Sequence, residues 1–171
     1  MSPPLNLLFP CLWILCLFLF HPSAARTTPP PLRQDHIRQY LEPHNRERSK
    51  LGIPPLKWSK KLADFAASWA HTRQGDCELI HSGTNYGENL FWGSGKQWSH
   101  GDAVAAWAAE RCYYDHAANS CRKGQDCLHY TQMVWRQSSR VGCARVVCKS
   151  GDTFVGCNYD PPGNVVGEKP F

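Results

Sequence analysis
Residues 141–159, VGCARVVCKSGDTFVGCNY, hold two runs rich in β-branched and aromatic side chains on either side of Ser150-Gly151-Asp152. That pattern predicts strands over Val141–Cys148 and Thr153–Tyr159 joined by a turn. Immediately upstream, residues 128–136 (LHYTQMVWR) read as a short helix. Further back, Asp102 opens a helix with Val104, Trp107 and Ala108 on one face. The strongest helical signal is earlier still. Ser59 can cap a helix in which Leu62, Phe65, Ala66, Trp69, Ala70 and Arg73 recur at i, i+3, i+4 and i+7, with Gly75 closing it. Between these helices, residues 77–81 (CELIH) read as a short strand and Ser82 to Gly101 as a loop rich in glycine and aromatics. A first helix starts at Asp35, carries Ile37, Tyr40 and Leu41 at helical spacing, and is expected to kink or shorten at Pro43. Gly52 and Pro54-Pro55 stop it. Helices alternating with strands around one sheet place the chain in the α+β class.

The full chain has 171 residues, 42% hydrophobic and 19% charged, which fits one domain with a core and excludes a disordered chain. Leu7 to Phe20 is almost wholly apolar, and Ser23-Ala24-Ala25 supplies small residues beyond it. This reads as a signal peptide over 1–25, too short and too interrupted by Pro10 for a membrane span, although it lacks Lys and Arg. A Pro-rich lead over 26–33 and a domain over 34–171 follow. The net charge of +5 belongs wholly to the part after residue 25. So do seven of the nine cysteines: Cys77, Cys112, Cys121, Cys127, Cys143, Cys148 and Cys157. Export makes disulfides the default, and the absence of any C-x-x-C pair weakens structural zinc. Seven is odd, and spacing alone leaves the pairing open. The basic residues are scattered without a recognition motif, which argues against nucleic acid.

Four further motifs occur in order: Glu42-Pro43-His44-Asn45-x-x-Arg48, Gly87-Glu88-Asn89, His129-Tyr130-Thr131-Gln132-x-Val134-Trp135, and Cys157-Asn158-Tyr159-Asp160-Pro161-Pro162-Gly163-Asn164. Together they resemble the CAP superfamily of cysteine-rich secretory proteins, and within it the plant pathogenesis-related protein 1 group. The resemblance runs from about Gln34 to Phe171. It implies a three-layer α-β-α sandwich with a central, mainly antiparallel sheet, stabilised by Cys77–Cys148, Cys121–Cys127 and Cys143–Cys157. Cys112 falls outside that framework as a free thiol, either buried and inert or available for intermolecular pairing.

The resemblance also singles out His81, Glu88, Glu110 and His129 as a cleft able to hold a divalent metal such as zinc. Imidazoles and carboxylates are suitable ligand types, yet no metal-binding spacing gathers these four in the sequence. Glu110 lies three residues after Trp107 and so near the helix's inward face, where a carboxylate calls for a cationic partner. A hydrogen-bonded structural cluster and a hydrolytic site are the competing readings. The last is disfavoured because no nucleophile motif is present. Phe91, Trp92 and Trp98 form an aromatic segment, and the resemblance implies sterol or lipid binding there. Capping of the core is its structural alternative. Pro161–Phe171 resembles a releasable signalling peptide with a receptor of its own, although the usual terminal Tyr is Phe171 here.

The leading expectation is therefore a monomeric protein secreted to the apoplast. It would bind sterol or lipid, meet microbial surfaces and act in plant defence, including against fungi. A metal-assisted hydrolase or protease using the His/Glu cleft is the alternative.

Overall fold
A computed structural model describes residues 32–171, so the leader reading and most of the Pro-rich lead lie outside the described residues. The elements are α1 (Leu32–Lys50), β1 (Lys57–Trp58), α2 (Lys60–Arg73), β2 (Gly87–Gly93) and α3 (His100–Ala109). A 3-10 turn (Glu110–Tyr113), β3 (Tyr114–Asp115), β4 (Ser120–Cys121), α4 (Leu128–Met133), β5 (Arg140–Val147) and β6 (Thr153–Asp160) complete them. The main sheet has the order β1-β5-β6-β2. Its β5–β6 and β6–β2 pairs are antiparallel, and only β1–β5 is parallel. β3 and β4 form a separate two-stranded ribbon.

Every residue of β6 from Thr153 to Tyr159 is buried, as expected of a strand covered on both faces. One cover is α2, which packs on β5 and β6. Its Leu62, Ala66 and Ala70 form the buried stripe that the helical spacing predicts, and Ser59 caps it by accepting from the Leu62 amide. Gly142 lets α2 sit directly on β5, because a Cβ there would collide with the backbone of Leu62 and Ala63. The other cover is the assembly of α1, α3 and α4. Tyr40, Val104, Trp107, Tyr130, Met133 and Val134 meet Val141, Val155, Cys157 and Tyr159 in the larger core. The result is the expected α-β-α sandwich.

Among the described residues, three disulfides form: Cys77–Cys148, Cys121–Cys127 and Cys143–Cys157. Cys143 and Cys157 are direct cross-strand partners in the β5–β6 register. Among the described residues, Cys112 is the free thiol; it is exposed rather than buried, and donates to the Ala109 carbonyl at 3.3 Å.

Several local expectations need correction. Pro43 does not end α1, which runs on to Lys50; Asp35 lies in its first turn instead of capping it. α3 is capped by Ser99, and Asp102 serves as the third helical residue of a reciprocal capping box. α4 stops at Met133. Residues 77–81 form no strand: Cys77 has φ of 60°, and Leu79 and Ile80 remain exposed. Conversely, the expected loop contains β2, paired with β6 over its whole length.

Candidate metal and ligand site
β2 and its approach position the first acid–imidazole pair. Glu88 faces Asn158 across the β2–β6 ladder and is almost fully covered. Its carboxylate accepts from His81 Nδ1 at 2.7 Å, the Ser82 amide at 3.0 Å, Ser82 Oγ at 2.5 Å and Asn158 Nδ2 at 3.2 Å. His81 itself is open to solvent, with 66% of its side chain exposed. This pair borders a surface hollow of about 250 Å³ that also touches Tyr86, Gln132 and Asn164.

The second pair lies where α3 ends and α4 begins. Glu110 follows the last turn of α3 and accepts from His129 Nδ1 at 2.7 Å and from the Tyr130 amide at 3.2 Å. The His129 ring stacks nearly parallel to Trp107, with centroids 6.1 Å apart. Burial of that ring opposes a positive charge, but the Glu110 hydrogen bond and the charges of Glu110 and Asp126 overcome it. The net effect holds the His129 pKa above the ordinary imidazole value. The partly buried carboxylate at 110 thus has an imidazole partner that is cationic when protonated. Asn89, beside Glu88, donates to the His129 carbonyl at 3.0 Å and so joins the two pairs through β2 and α4.

Each imidazole is oriented by a carboxylate on Nδ1, which leaves Nε2 without a hydrogen-bond partner among the described residues. That is the arrangement by which a carboxylate fixes the tautomer of a metal-binding histidine. The tetrad is not a single tight cluster. Among the described residues, the metal-capable donors that converge within 4.8 Å are Glu110, Asp126 and His129. Asp126 was missed in the sequence; its only local signal is the i, i+3 spacing to His129. It also has a structural task, since its Oδ1 accepts from the Leu128 amide at the start of α4.

The aromatic residues divide between the two faces of β2. Phe91 packs towards the larger core and meets Trp98 edge-to-face at 5.3 Å. Gly93 leaves room for the Trp98 indole, where a Cβ would collide, and Lys96 lies over that ring at 4.1 Å. Trp92 points to the opposite face and is 46% exposed, with its indole NH donating to Asp152 at 3.3 Å.

The chain after β6 is held closely. Ser138 Oγ donates to the Pro161 carbonyl, Gly163 N to Gln132 Oε1, and Arg136 N to the Pro170 carbonyl, at 2.7, 2.9 and 2.7 Å. Phe171 stacks on His116 with centroids 4.7 Å apart.

Comparison with known proteins bears on the fold and the family. The model of the CAP, or cysteine-rich secretory protein, family matches residues 41–159. The chain is 49% identical over 138 residues to pathogenesis-related protein 1C of Nicotiana tabacum, covering 81% of this chain and 82% of that protein. Pathogenesis-related protein 1 of Arabidopsis thaliana is 49% identical over 142 residues, with coverage of 83% and 86%. For pathogenesis-related protein PRMS of Zea mays the identity is 47% over 151 residues, covering 87% and 90%. The fold is shared with the crystal structure of NaASP2 with Zn2+, at a TM-score of 0.66 and 22% identity, over 81% of this chain and 85% of that one. Among the described residues, no helix is long and apolar enough to cross a membrane. By motif, fold, disulfides and sequence identity, the chain belongs to the CAP family of cysteine-rich secretory proteins and resembles within it plant pathogenesis-related 1 proteins.

Proposed function
We propose that this is an exported defence protein that binds a sterol or related lipid beside β2 and acts at microbial surfaces, including those of fungi. The names of its plant relatives support the defence role. The observation that carries the ligand assignment is the exposed Trp92 on β2, the edge strand of the main sheet. A fused-ring ligand needs apolar walls and few polar anchors, and the exposed Trp92 indole, with Asp152 beside its NH, supports one such wall. Phe91 also packs on the core, so Trp92→Ala is the cleaner variant. Labelled cholesterol should bind the wild type and lose at least about fivefold in affinity with Trp92→Ala, roughly the loss of 1 kcal/mol of contact. Equal binding, or none by either protein, sinks the assignment.

Metal-assisted hydrolysis is the second reading, and the outward Nε2 atoms of His81 and His129 favour it. Glu110, Asp126 and His129, whose donor atoms converge within 4.8 Å, fit a divalent cation such as zinc, which would supply Lewis acidity there; Glu88 would orient the His81 ring beside it. Because binding requires a neutral imidazole and the His129 pKa is raised, zinc affinity should start to fall above the ordinary imidazole pKa of about 6.5 as the pH is lowered. Zinc titrations of the wild type and of a His81→Ala/His129→Ala variant from pH 8 to 5 check this. Equal affinity of the two proteins removes both residues from the site. The same proposal treats Pro161–Phe171 as a signalling segment, released by cleavage after Asp160 and read by a plant receptor.

A further inference from the structure
Asp160–Pro161 is the single Asp-Pro bond in the chain, and it joins the end of β6 to the segment that follows. Ser139, just before β5, supplies two donors to the Asp160 carbonyl: its amide at 3.1 Å and its Oγ at 3.4 Å. β5 and β6 register Arg140 against Asp160, so this amide bond lies one residue off the regular ladder. The next carbonyl, of Pro161, accepts from Ser138 Oγ at 2.7 Å. The Asp160 carboxylate is fixed as well. Arg140 Nη2 donates to Oδ2 at 2.7 Å, while Oδ1 has no hydrogen-bond partner among the described residues. The side chain is partly exposed, so water reaches it.

These groups supply one peptide bond with the parts of an acyl-transfer site. Asp160 Oδ1 is tethered to its own carbonyl carbon, which replaces a bimolecular encounter by an internal one. The two Ser139 donors stabilise the negative charge that grows on the carbonyl oxygen during addition. Proline is suited to leave, because its tertiary amide nitrogen takes a proton more readily than a secondary one.

We propose that the protein cuts its own chain between Asp160 and Pro161. This rests on the reading of Pro161–Phe171 as a released segment and supplies the chemistry of its release. Asp160 Oδ1 adds to the Asp160 carbonyl carbon, the bond to the Pro161 nitrogen breaks, and that nitrogen takes a proton from solvent. Water then opens the cyclic anhydride left on Asp160. This restores the side-chain carboxylate and leaves a new α-carboxylate at residue 160.

Mass spectrometry of the free Pro161–Phe171 peptide tests this on the purified mature protein, with protease inhibitors present. Incubation at about pH 5 favours proton transfer to the departing nitrogen, and a parallel sample is unfolded in urea with reductant. The peptide is expected to appear at least about tenfold faster from the folded chain than from the unfolded one, whose carbonyl lacks the Ser139 donors. Asp160→Ala should abolish release. Ser139→Ala, at an exposed position, should slow release roughly threefold to tenfold with little change in melting temperature. Equal rates from folded and unfolded chains, or undiminished release by Asp160→Ala, overturn the proposal. So does a purified protein that stays intact. If plant secretions then still contain the peptide, a separate protease makes the cut and the release reading survives without self-cleavage; if they do not, both fall.

Discussion

His44 and Arg48, both from the motif in α1, show how the core uses polar side chains. His44 is fully buried, with Nδ1 2.8 Å from the Tyr40 carbonyl and Nε2 2.7 Å from the Tyr159 hydroxyl. A carbonyl can only accept, so Nδ1 carries the proton and Nε2 accepts from Tyr159. Tyr159 in turn accepts from Asn89 Nδ2 at 3.2 Å. The neutral imidazole satisfies every member of this chain. Burial, first, and the Arg48 charge lower the His44 pKa to about 4 against the opposing bond to Tyr40. The unfolded chain takes up this proton near pH 6.5, whereas the folded one resists until about 4. Folding stability therefore falls as pH drops through that window, by about 3 kcal/mol from this residue alone. Denaturant unfolding at pH 7 and pH 4 should show a larger acid loss for the wild type than for His44→Gln; equal losses would contradict the assignment. Among the described residues, Arg48 has no carboxylate partner. Its guanidinium instead donates to the carbonyls of Pro54, Met133, Trp135 and Ser138, stitching α1 to the stretch between α4 and β5.

At the scale of elements, the contact of α2 with the sheet is the most sensitive joint. Gly142→Ala would press a methyl into the α2 backbone, which cannot rotate away, so a loss of about 2 kcal/mol or more is expected. Gly156→Ala, in the neighbouring strand, meets only side-chain atoms, Leu90 at 3.4 Å and Phe154 at 3.6 Å, and should cost less. Thermal melts of the two variants compare them, and a larger loss for Gly156→Ala would refute this view of the joint. The same packing explains what could be read from the sequence. The α2 stripe and the runs over 141–148 and 153–159 are local patterns, so they were legible. β2 was not, because Gly87-Glu88-Asn89 looks like loop. Gly87 and Gly93 are small there because Gln132, from a distant part of the chain, and Trp98, five residues on, press against them. CELIH failed in the opposite direction: its Leu79 and Ile80 resemble strand residues but have no sheet to join. Spacing likewise could not bring Glu110 to His129, since only the meeting of α3 with α4 does so. The family motifs supplied that information, but they did not flag Asp126.

Across the whole molecule, the covalent links and the termination of the chain have different limits. The disulfides span residues 77–157, and none reaches the segment after Asp160. Hydrogen bonds from Asn119 to the Glu168 carbonyl and from Thr131 to Asn164 hold that segment, together with the contacts of Pro161, Pro170 and Phe171. It also forms one side of a cavity of about 270 Å³ that Leu128, Trp135 and Cys121 complete. A single backbone cut after Asp160 would thus change the status of Pro161–Phe171 from chain to ligand. Its residence would then obey a dissociation constant and respond to dilution, while the cross-linked body stayed whole.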